Sequence, residues 1–280
     1  MNDDDEYRNA LAIGDLILEF RIKNILGVGG FGITYLAYDS ELDCDVVIKE
    51  YFPSDLAIRE NSNVIAHSHS GKSFYSKGKE RFYEEAKTLA KFKHPNIVQV
   101  KRRFESNNTV YFVMDFEEGE DLDSYIKKLP NHKLTEDEAL SIILPICDGL
   151  KEIHSYNIYH RDIKPENIYL RENSSPMLID FGSAKQIQDQ DSHRYSSFNA
   201  QTLGYAAPEQ QSSLSSLIGP HTDIYAIGAT LYKCISGALP VSSEDRSTSI
   251  TQQDYDPYES IHTKVNRSEY SYSKNNKATL

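Results

Sequence analysis

The 280 residues carry 30 Lys+Arg against 42 Asp+Glu, a net charge of −12, which disfavours a nucleic-acid partner because phosphate backbones would be repelled overall. With 39 % hydrophobic residues the chain can bury a proper core, and no apolar run approaches the length of a membrane span. Any phosphate it binds must be met by local devices: backbone amides, a lysine or two, and metal ions.

Residues 1–19 read as an acidic, weakly patterned extension, and Asp3, Asp4, Asp5 and Glu6 are the opposite of a basic leader. From Phe20 a period of two begins. "FRIKNIL", "ITYLAY" and "DVVIKEY" are rich in β-formers, with turn signals at Gly27, Gly29, Gly30, Gly32, Asp43 and Asp45, so an antiparallel meander is expected. Residues 55–78, rich in Ser, Asn and His and ending in Gly78, read as an inserted loop. His67 and His69 there are more simply solvated than a metal pair. "KERFYEEAKTLAKF" predicts a helix with Phe82, Ala86, Leu89 and Phe92 on one stripe. Glu85 shares that stripe and needs a cation, because a buried unpaired charge is costly. "NIVQV" and "TVYFVMDF" predict two more strands, for about five in this half.

"EEGEDL" reads as a hinge, after which the pattern turns helical. "TEDEALSIILPICDGLKEIHS" opens on a capping box, Thr135 with Glu138. Its expected stripe is Leu140, Ile143, Leu144, Cys147 and Leu150, with a kink at Pro145. "TDIYAIGATLYKCISG" is apolar at positions 224, 227, 228, 231, 232 and 235 and ends at Gly237. A small β-rich lobe, 20–117, thus precedes a helical lobe, 118–240, with a cleft expected between them. Residues 241–280, rich in Ser, Thr, Asn and Tyr, show no clear period and stay unassigned. Cys44, Cys147 and Cys234 lie far apart, fit no metal spacing and read as buried reduced thiols.

"GVGGFG" places Gly27, Gly29 and Gly32 in the pattern G-x-G-x-x-G, a weak signal alone. A strand follows rather than a helix, so the loop is a hairpin whose backbone N–H groups can lie over phosphates; taken alone, a flexible turn explains it better. Lys49, closing "VVIK", supplies the cation that Glu85 needs, and a lysine held in that way can grip two phosphates. "YHRDIKPENIYL" then packs Asp162, Lys164 and Asn167 together, and "LIDFGSA" puts Asp180 after a short β run. Nucleotide chemistry needs a carboxylate near the attacking hydroxyl, which suits Asp162, and oxygen ligands for Mg²⁺, which suit Asn167 and Asp180. Each alone could be an Asx-turn, a cap or a solvated charge; all of them in this order could not.

These motifs resemble those of the eukaryotic-type (Hanks-type) serine/threonine protein kinases over about residues 20–240. "GGFGITYLA", "IKEYFP" and "GYAAPEQ" look most like bacterial members. The resemblance implies an α+β, bilobal protein-kinase-like fold: a small antiparallel β-rich N-lobe with one key helix, and a mainly helical C-lobe. It implies that Gly27, Gly29 and Gly32 cover the ATP phosphates and that Lys49 pairs with the α- and β-phosphates and with Glu85. Met114 would stand behind adenine, the backbone of Asp115 and Glu117 would hold the base, and Asp121 or Glu120 would reach the ribose. Asp162 would orient and deprotonate the acceptor hydroxyl, Lys164 would steady the γ-phosphate, and Asn167 and Asp180 would hold Mg²⁺, with Mn²⁺ an alternative.

Ala207, Pro208 and Glu209 match the family's "APE" element, Asp223 its prop for the catalytic loop, and Leu89, Val100, His160 and Phe181 its stacked apolar column. Lys164 and Thr202 resemble the serine/threonine type. Thr34, Val47 and Tyr169 stand where valine, alanine and leucine are usual. The arginine that pairs with the carboxylate matching Glu209 has no clear counterpart, Arg246 and Arg267 lying in no matching motif, so the C-lobe is expected to be truncated or divergent at its end. Arg161 would meet a phosphate on segment 183–206, which holds Ser192, Tyr195, Ser196, Ser197 and Thr202.

The implied activity is ATP-dependent transfer to serine or threonine of a protein partner, with autophosphorylation, no nucleic acid and no membrane segment. A cytoplasmic location is expected, with export to another cell left open. Two rivals stand beside it: an ATP-binding pseudokinase or scaffold, which would have lost Lys49, Asp162 or Asp180, and a small-molecule phosphotransferase, which would usually lack the "APE" element.

Overall fold

A computed structural model of the protein describes residues 7, 9–67, 69–181, 185–186, 204–211 and 217–264. The chain divides into two compact units, Met1–Lys93 with Val98–Glu117, and His94–Ile97 with Glu118–Leu280.

In the N-terminal unit, strands β1 (Leu16–Ile17), β2 (Phe20–Val28), β3 (Gly32–Asp39) and β4 (Cys44–Tyr51) follow one another. A hairpin of β5 (Ala57–Glu60) and β6 (Asn63–Ala66) comes next, then helix α1 (His69–Leu89), β7 (Val100–Ser106) and β8 (Thr109–Asp115). Six strands form one antiparallel sheet in the order β1-β2-β3-β4-β8-β7. The β2–β4 meander expected from the period-two pattern is present. Alternation sorts the side chains: Val46, Ile48 and Glu50 of β4 are buried, while Val47 and Lys49 on the other face are half-buried.

Three local expectations are corrected. Residues 9–19, within the span expected to be weakly patterned, are built into the N-terminal unit: β1 pairs with β2, and Leu11 and Ile17 are buried. The span 55–78 is not a loop. Its β5–β6 hairpin turns on Asn61 and Ser62, with Asn61 at φ 54, a left-handed conformation that asparagine tolerates better than most residues. Helix α1 begins at His69 rather than near Lys79 and runs through Gly78, where any side chain would collide with the Tyr51 ring, so α1 lies unusually close to β4. Third, "NIVQV" is mostly not a strand; β7 starts at its last residue, Val100.

The C-terminal unit opens with β9 (Gly119–Asp121), α2 (Leu122–Lys128), α3 (Glu136–His154) and β10 (Ile158–Tyr159). A single 3₁₀ turn (Pro165–Asn167) leads into β11 (Ile168–Arg171), followed by β12 (Pro176–Leu178), β13 (Lys185–Gln186) and α4 (Pro208–Gln211). The last helices are α5 (Pro220–Ser236), α6 (Ser243–Gln253) and α7 (Ile261–Lys264). Strands β12-β11-β9 make an antiparallel sheet, and β10 pairs with β13.

The capping box on α3 is formed: Thr135 Oγ1 accepts from the Glu138 amide at 3.3 Å, and Glu138 Oε2 accepts from the Thr135 amide at 2.8 Å. Such a cap is worth about 1 kcal/mol. The buried stripe of α3 is Ala139, Ile142, Ile143, Ile146, Gly149, Leu150 and Ile153, a strict helical repeat. Of the expected stripe only Ile143 and Leu150 belong to it, and Leu144 is 61 % exposed, so the buried face is rotated from the expected one. Helix α5 is likewise rotated from its apolar pattern: Thr222, Asp223 and Thr230 are buried, whereas Ile224 is 54 % exposed. Gly237 ends it at φ 75. Residues 243–253 and 261–264 of the unassigned region are helical. All three cysteines are free, but Cys44 is exposed and only Cys234 is fully buried.

Candidate active site

In the N-terminal unit the site is organised around β4. Lys49 pairs across the sheet with Thr34 of β3 and Phe112 of β8, and Val47 with Leu36 and Met114. Directly opposed residues share a face, so Thr34, Val47, Lys49 and Met114 line one side of the sheet. Helix α1 covers that side: Phe82 stacks on Phe112 at 4.7 Å and packs against Tyr51 at 5.5 Å. Glu85 stands one turn beyond Phe82, half-buried, on the stripe with Ala86 and Leu89. The two halves of the expected Lys49–Glu85 pair are therefore carried on facing elements.

The glycine-rich loop is folded back on the same strand. The Gly29 amide donates to the Gly32 carbonyl at 2.8 Å, the Phe52 amide to Phe31 at 3.0 Å and the Ser54 amide to Gly30 at 3.2 Å. A Cβ on Gly32 would come 2.5 Å from the Glu50 carbonyl oxygen and 3.9 Å from Lys49 Cε, so glycine is what lets the loop lie against β4. Gly27 faces open space. Asp115, at the end of β8, is exposed and pairs with Lys101 at 2.8 Å, and Glu117 is half-buried just beyond it.

In the C-terminal unit the loop 159–167 hangs on one buried carboxylate. Asp223 accepts from the His160 amide at 2.9 Å and the Arg161 amide at 2.8 Å, and lies 2.7 Å from His154 Nε2. Gln210 Nε2 donates to the Arg161 carbonyl at 2.7 Å. With both its backbone groups tied, Arg161 is held at φ 68, a strained value for a residue with a side chain. His154 and Gln210 were not picked out from the sequence; His154 follows the last apolar position of α3, and only the fold reveals its contact.

Asp162 comes next. Its Oδ2 lies 3.1 Å from Lys164 Nζ and accepts from Asn167 Nδ2 at 3.0 Å. Asn167 Nδ2 also donates to the Asp162 carbonyl at 2.6 Å. Asp162 Oδ1 is buried and accepts no hydrogen bond from the described residues. Asp180 is delivered to this group by its neighbour: the Ile179 amide donates to the Asn167 carbonyl, and the Ile179 carbonyl lies 2.9 Å from His160 Nε2. Asp180 itself takes φ 60. Phe181 packs edge-on against His160 at 4.5 Å. Leu89 and Val100 are buried in the N-terminal unit.

Asp121, a ribose candidate, caps α2, accepting from the Ser124 amide at 2.9 Å and from Ser124 Oγ at 2.6 Å. Glu120 pairs with Lys128 at 2.7 Å. Glu166 was not singled out from the sequence. Burial pushes its carboxyl above the usual range, with Asp123 adding to the effect and Lys164 opposing it.

Asn167 spends its amide protons on Asp162, which leaves its carbonyl oxygen; that oxygen and the Asp180 carboxylate are both hard donors of the kind that could hold a divalent ion. Among the described residues no cluster of three or more His, Cys, Asp or Glu could hold a metal by itself. A metal here would complete its shell with water or phosphate oxygens.

Glu209 is neither exposed nor alone: it accepts from Thr222 Oγ1 at 2.6 Å and lies 3.3 Å from His221 Nε2. Arg246 is committed elsewhere, gripping both oxygens of Asp256 at 3.0 and 2.7 Å. Arg267 and the candidate phosphate acceptors Ser192, Tyr195, Ser196, Ser197 and Thr202 lie outside the described residues.

A family model for the protein kinase domain matches residues 20–279, so the likeness runs through the region the sequence left unassigned. The serine/threonine-protein kinase pkn2 of Myxococcus xanthus is 31 % identical over 238 residues, covering 82 % of this chain and 26 % of its own length. The probable serine/threonine-protein kinase PknB of Lactococcus lactis is 29 % identical over 235 residues, covering 84 % and 34 %. PLK4 of Drosophila grimshawi is 29 % identical over 231 residues, covering 82 % and 28 %. The chain thus spans 34 % or less of the length of each of these relatives. Among solved structures, PpkA-294 in its apo form superposes with a TM-score of 0.74 at 32 % identity, covering 90 % of this chain and 89 % of that one. The PknI kinase domain of M. tuberculosis, at 24 % identity and TM-score 0.61 over 83 % and 78 %, shares the fold. The chain has the protein-kinase fold and belongs to the protein kinase family.

Proposed function

We propose that the chain is an ATP-dependent serine/threonine protein kinase that uses Mg²⁺ and phosphorylates itself as well as protein substrates. The observation that carries this is the state of Asp162. One of its oxygens is held by Lys164 and Asn167, and the other is buried and accepts nothing from the described residues. A carboxylate fixed in this way, with acceptor capacity unused, can take the proton of a hydroxyl brought within hydrogen-bond reach.

Asp162 takes the proton from the serine or threonine hydroxyl, whose oxygen attacks the γ-phosphorus in line. The bond from that phosphorus to the β–γ bridging oxygen breaks, and ADP leaves with the bond's electron pair. Lys164 neutralises charge on the transferring phosphoryl group; Lys49, steadied by Glu85, does so on the α- and β-phosphates. Gly27, Gly29 and Gly32 let backbone amides approach the phosphates. Met114 backs the adenine, Asp115 and Glu117 hydrogen-bond it through their backbone, and Asp121 takes the ribose with the acceptor capacity its cap leaves. A divalent ion held by Asn167 and Asp180 would neutralise phosphate charge and set the in-line geometry. The chemistry is chiefly positioning and charge stabilisation.

Arg161 supports phosphate control of the segment 183–206: its Nε is buried and donates no hydrogen bond to the described residues, and burial lowers its pKa against the opposing pull of Asp223. A phosphate would supply charge-assisted bonds there. Active protein in which mass spectrometry finds no phosphate between residues 183 and 206 would rule this out. No described helix is long and apolar enough to cross a membrane. The free thiols favour a reducing, cytoplasmic setting.

The test is incubation of the purified chain with γ-labelled ATP and a hydroxyl-rich acceptor protein, with Mg²⁺ or with chelator. Label on serine and threonine of both proteins, absent with chelator, is the expected result. ATP binding with no label on any protein would instead make the chain a scaffold.

A further inference from the structure

We infer that Glu50 is a positioning residue for Lys49: its buried carboxylate locks the strand that presents the lysine and places that strand under the hold of the 57–66 hairpin and the segment around Asn9 and Leu11. The inference rests on the phosphate-gripping role proposed above for Lys49.

Glu50 is the next residue after Lys49 and points to the opposite face of β4, where it is 0 % exposed. Three donors from three elements meet it. Tyr35 Oη of β3 donates to Oε2 at 2.7 Å, Tyr111 Oη of β8 to Oε1 at 2.7 Å, and Arg59 Nη2 of β5 to Oε2 at 2.5 Å. The Arg59 side chain is only 6 % exposed. Strand β4 is thus fixed to both its sheet neighbours and to the hairpin at the residue adjoining the lysine.

The donors are themselves held. Arg59 Nε donates to the Asn9 carbonyl at 2.6 Å, and the Leu11 amide donates to Tyr35 Oη at 3.1 Å. The hairpin is pinned in turn to the β7–β8 connection, the Val64 amide donating to Asn107 at 2.9 Å and Asn108 Nδ2 to Val64 at 2.8 Å. The glycine-rich loop leans on the same point, because Gly32 packs against the Glu50 carbonyl. Lys49 and the loop thereby share one anchor.

Stability alone gives little reason for this cluster. Apolar side chains of similar volume usually serve a core as well as a buried ion pair or better. What hydrogen bonds to a charge add is direction: they fix where an atom sits. A lysine misplaced by about 1 Å loses much of its grip on a phosphate.

Steady-state kinetics on the full chain, varying ATP against a hydroxyl-rich acceptor protein, tests this. The double replacement Glu50→Leu with Arg59→Met removes both charges and leaves no lone buried ion; circular dichroism and the unfolding midpoint report its folded fraction. The expected result is a rise in KM for ATP of about tenfold with kcat lowered by less than about threefold. Arg59→Lys, which keeps the charge, should stay within about threefold of the parent KM, and deletion of residues 1–11 should raise it by about threefold. A parental KM in the double variant, or a loss confined to kcat or to the folded fraction, overturns the inference. Lys49→Met separates the two ideas. If it leaves KM and turnover at the parental level, the role given to Lys49 fails. If it is defective while the double variant is parental, the role given to Glu50 fails alone.

Discussion

Glu50 in the N-terminal unit and Asp223 in the C-terminal unit are both wholly buried carboxylates that hold a site residue, yet they are satisfied by different donors. Asp223 is met by two consecutive backbone amides and a histidine. Glu50 is met, among the described residues, by side chains alone, two tyrosines and an arginine from 9 to 61 residues away along the chain. Backbone donors are present whatever the sequence, so the loop of Asp162 is fixed by a device that tolerates change around it. Side-chain donors can be lost or moved, so the strand of Lys49 is fixed by a device that other segments can adjust.

Breaking the first device should have the larger effect. In Asp223→Ala the His160 and Arg161 amides and the His154 ring lose their acceptor, each unmet buried donor costing about 1–3 kcal/mol. The strained Arg161 would relax and carry Asp162 with it. Urea unfolding should register a loss of about 3 kcal/mol or more, and kcat should fall about 100-fold. A variant with parental kcat would show that the loop keeps its shape without the carboxylate.

Gly32→Ala probes the second device more gently. Its methyl must push the loop away from the Glu50 carbonyl. A loss of about 1–3 kcal/mol and a higher KM for ATP are expected, with kcat less affected. An unchanged KM would separate the loop from the strand.

The smallest effect is expected at Glu166. Burial raises its carboxyl pKa, so the folded state favours the protonated form. The stability this contributes is full below the ordinary glutamate value and is lost as pH rises through the raised one. Glu166→Gln should therefore melt higher than the parent at neutral pH, and the gap should close as pH falls below the ordinary glutamate range. A gap independent of pH would mean that the carboxylate is well solvated or paired.

These contrasts also explain what could be read from the chain alone. Asp162, Lys164, Asn167 and Asp180 were legible because their order and spacing carry chemistry, and the described loop brings the first three into contact. The Glu50 cluster was not, because nothing local links Tyr35, Arg59 and Tyr111 before the sheet pairs them. Polar composition hid the β5–β6 hairpin: its turn, Asn61-Ser62 between "AIRE" and "NVIA", carries no glycine, and only Asn61 takes a positive φ. The same polar composition hid the first turns of helix α1, which runs through Gly78, a contact point with Tyr51. The buried face of α3 takes in Ile142, Ile146 and Ile153 beside the small Ala139 and Gly149, and that of α5 takes in the polar Asp223; tertiary contacts, not local pattern, select these faces.

The central claim, that Asp162 takes the proton in a phosphoryl transfer, is tested most directly by Asp162→Asn. ATP·Mg²⁺ affinity by calorimetry and label transfer to protein hydroxyls should be measured on the same preparation. Affinity within about threefold of the parent and transfer lowered by about 100-fold or more are expected. Transfer at the parental rate would contradict it.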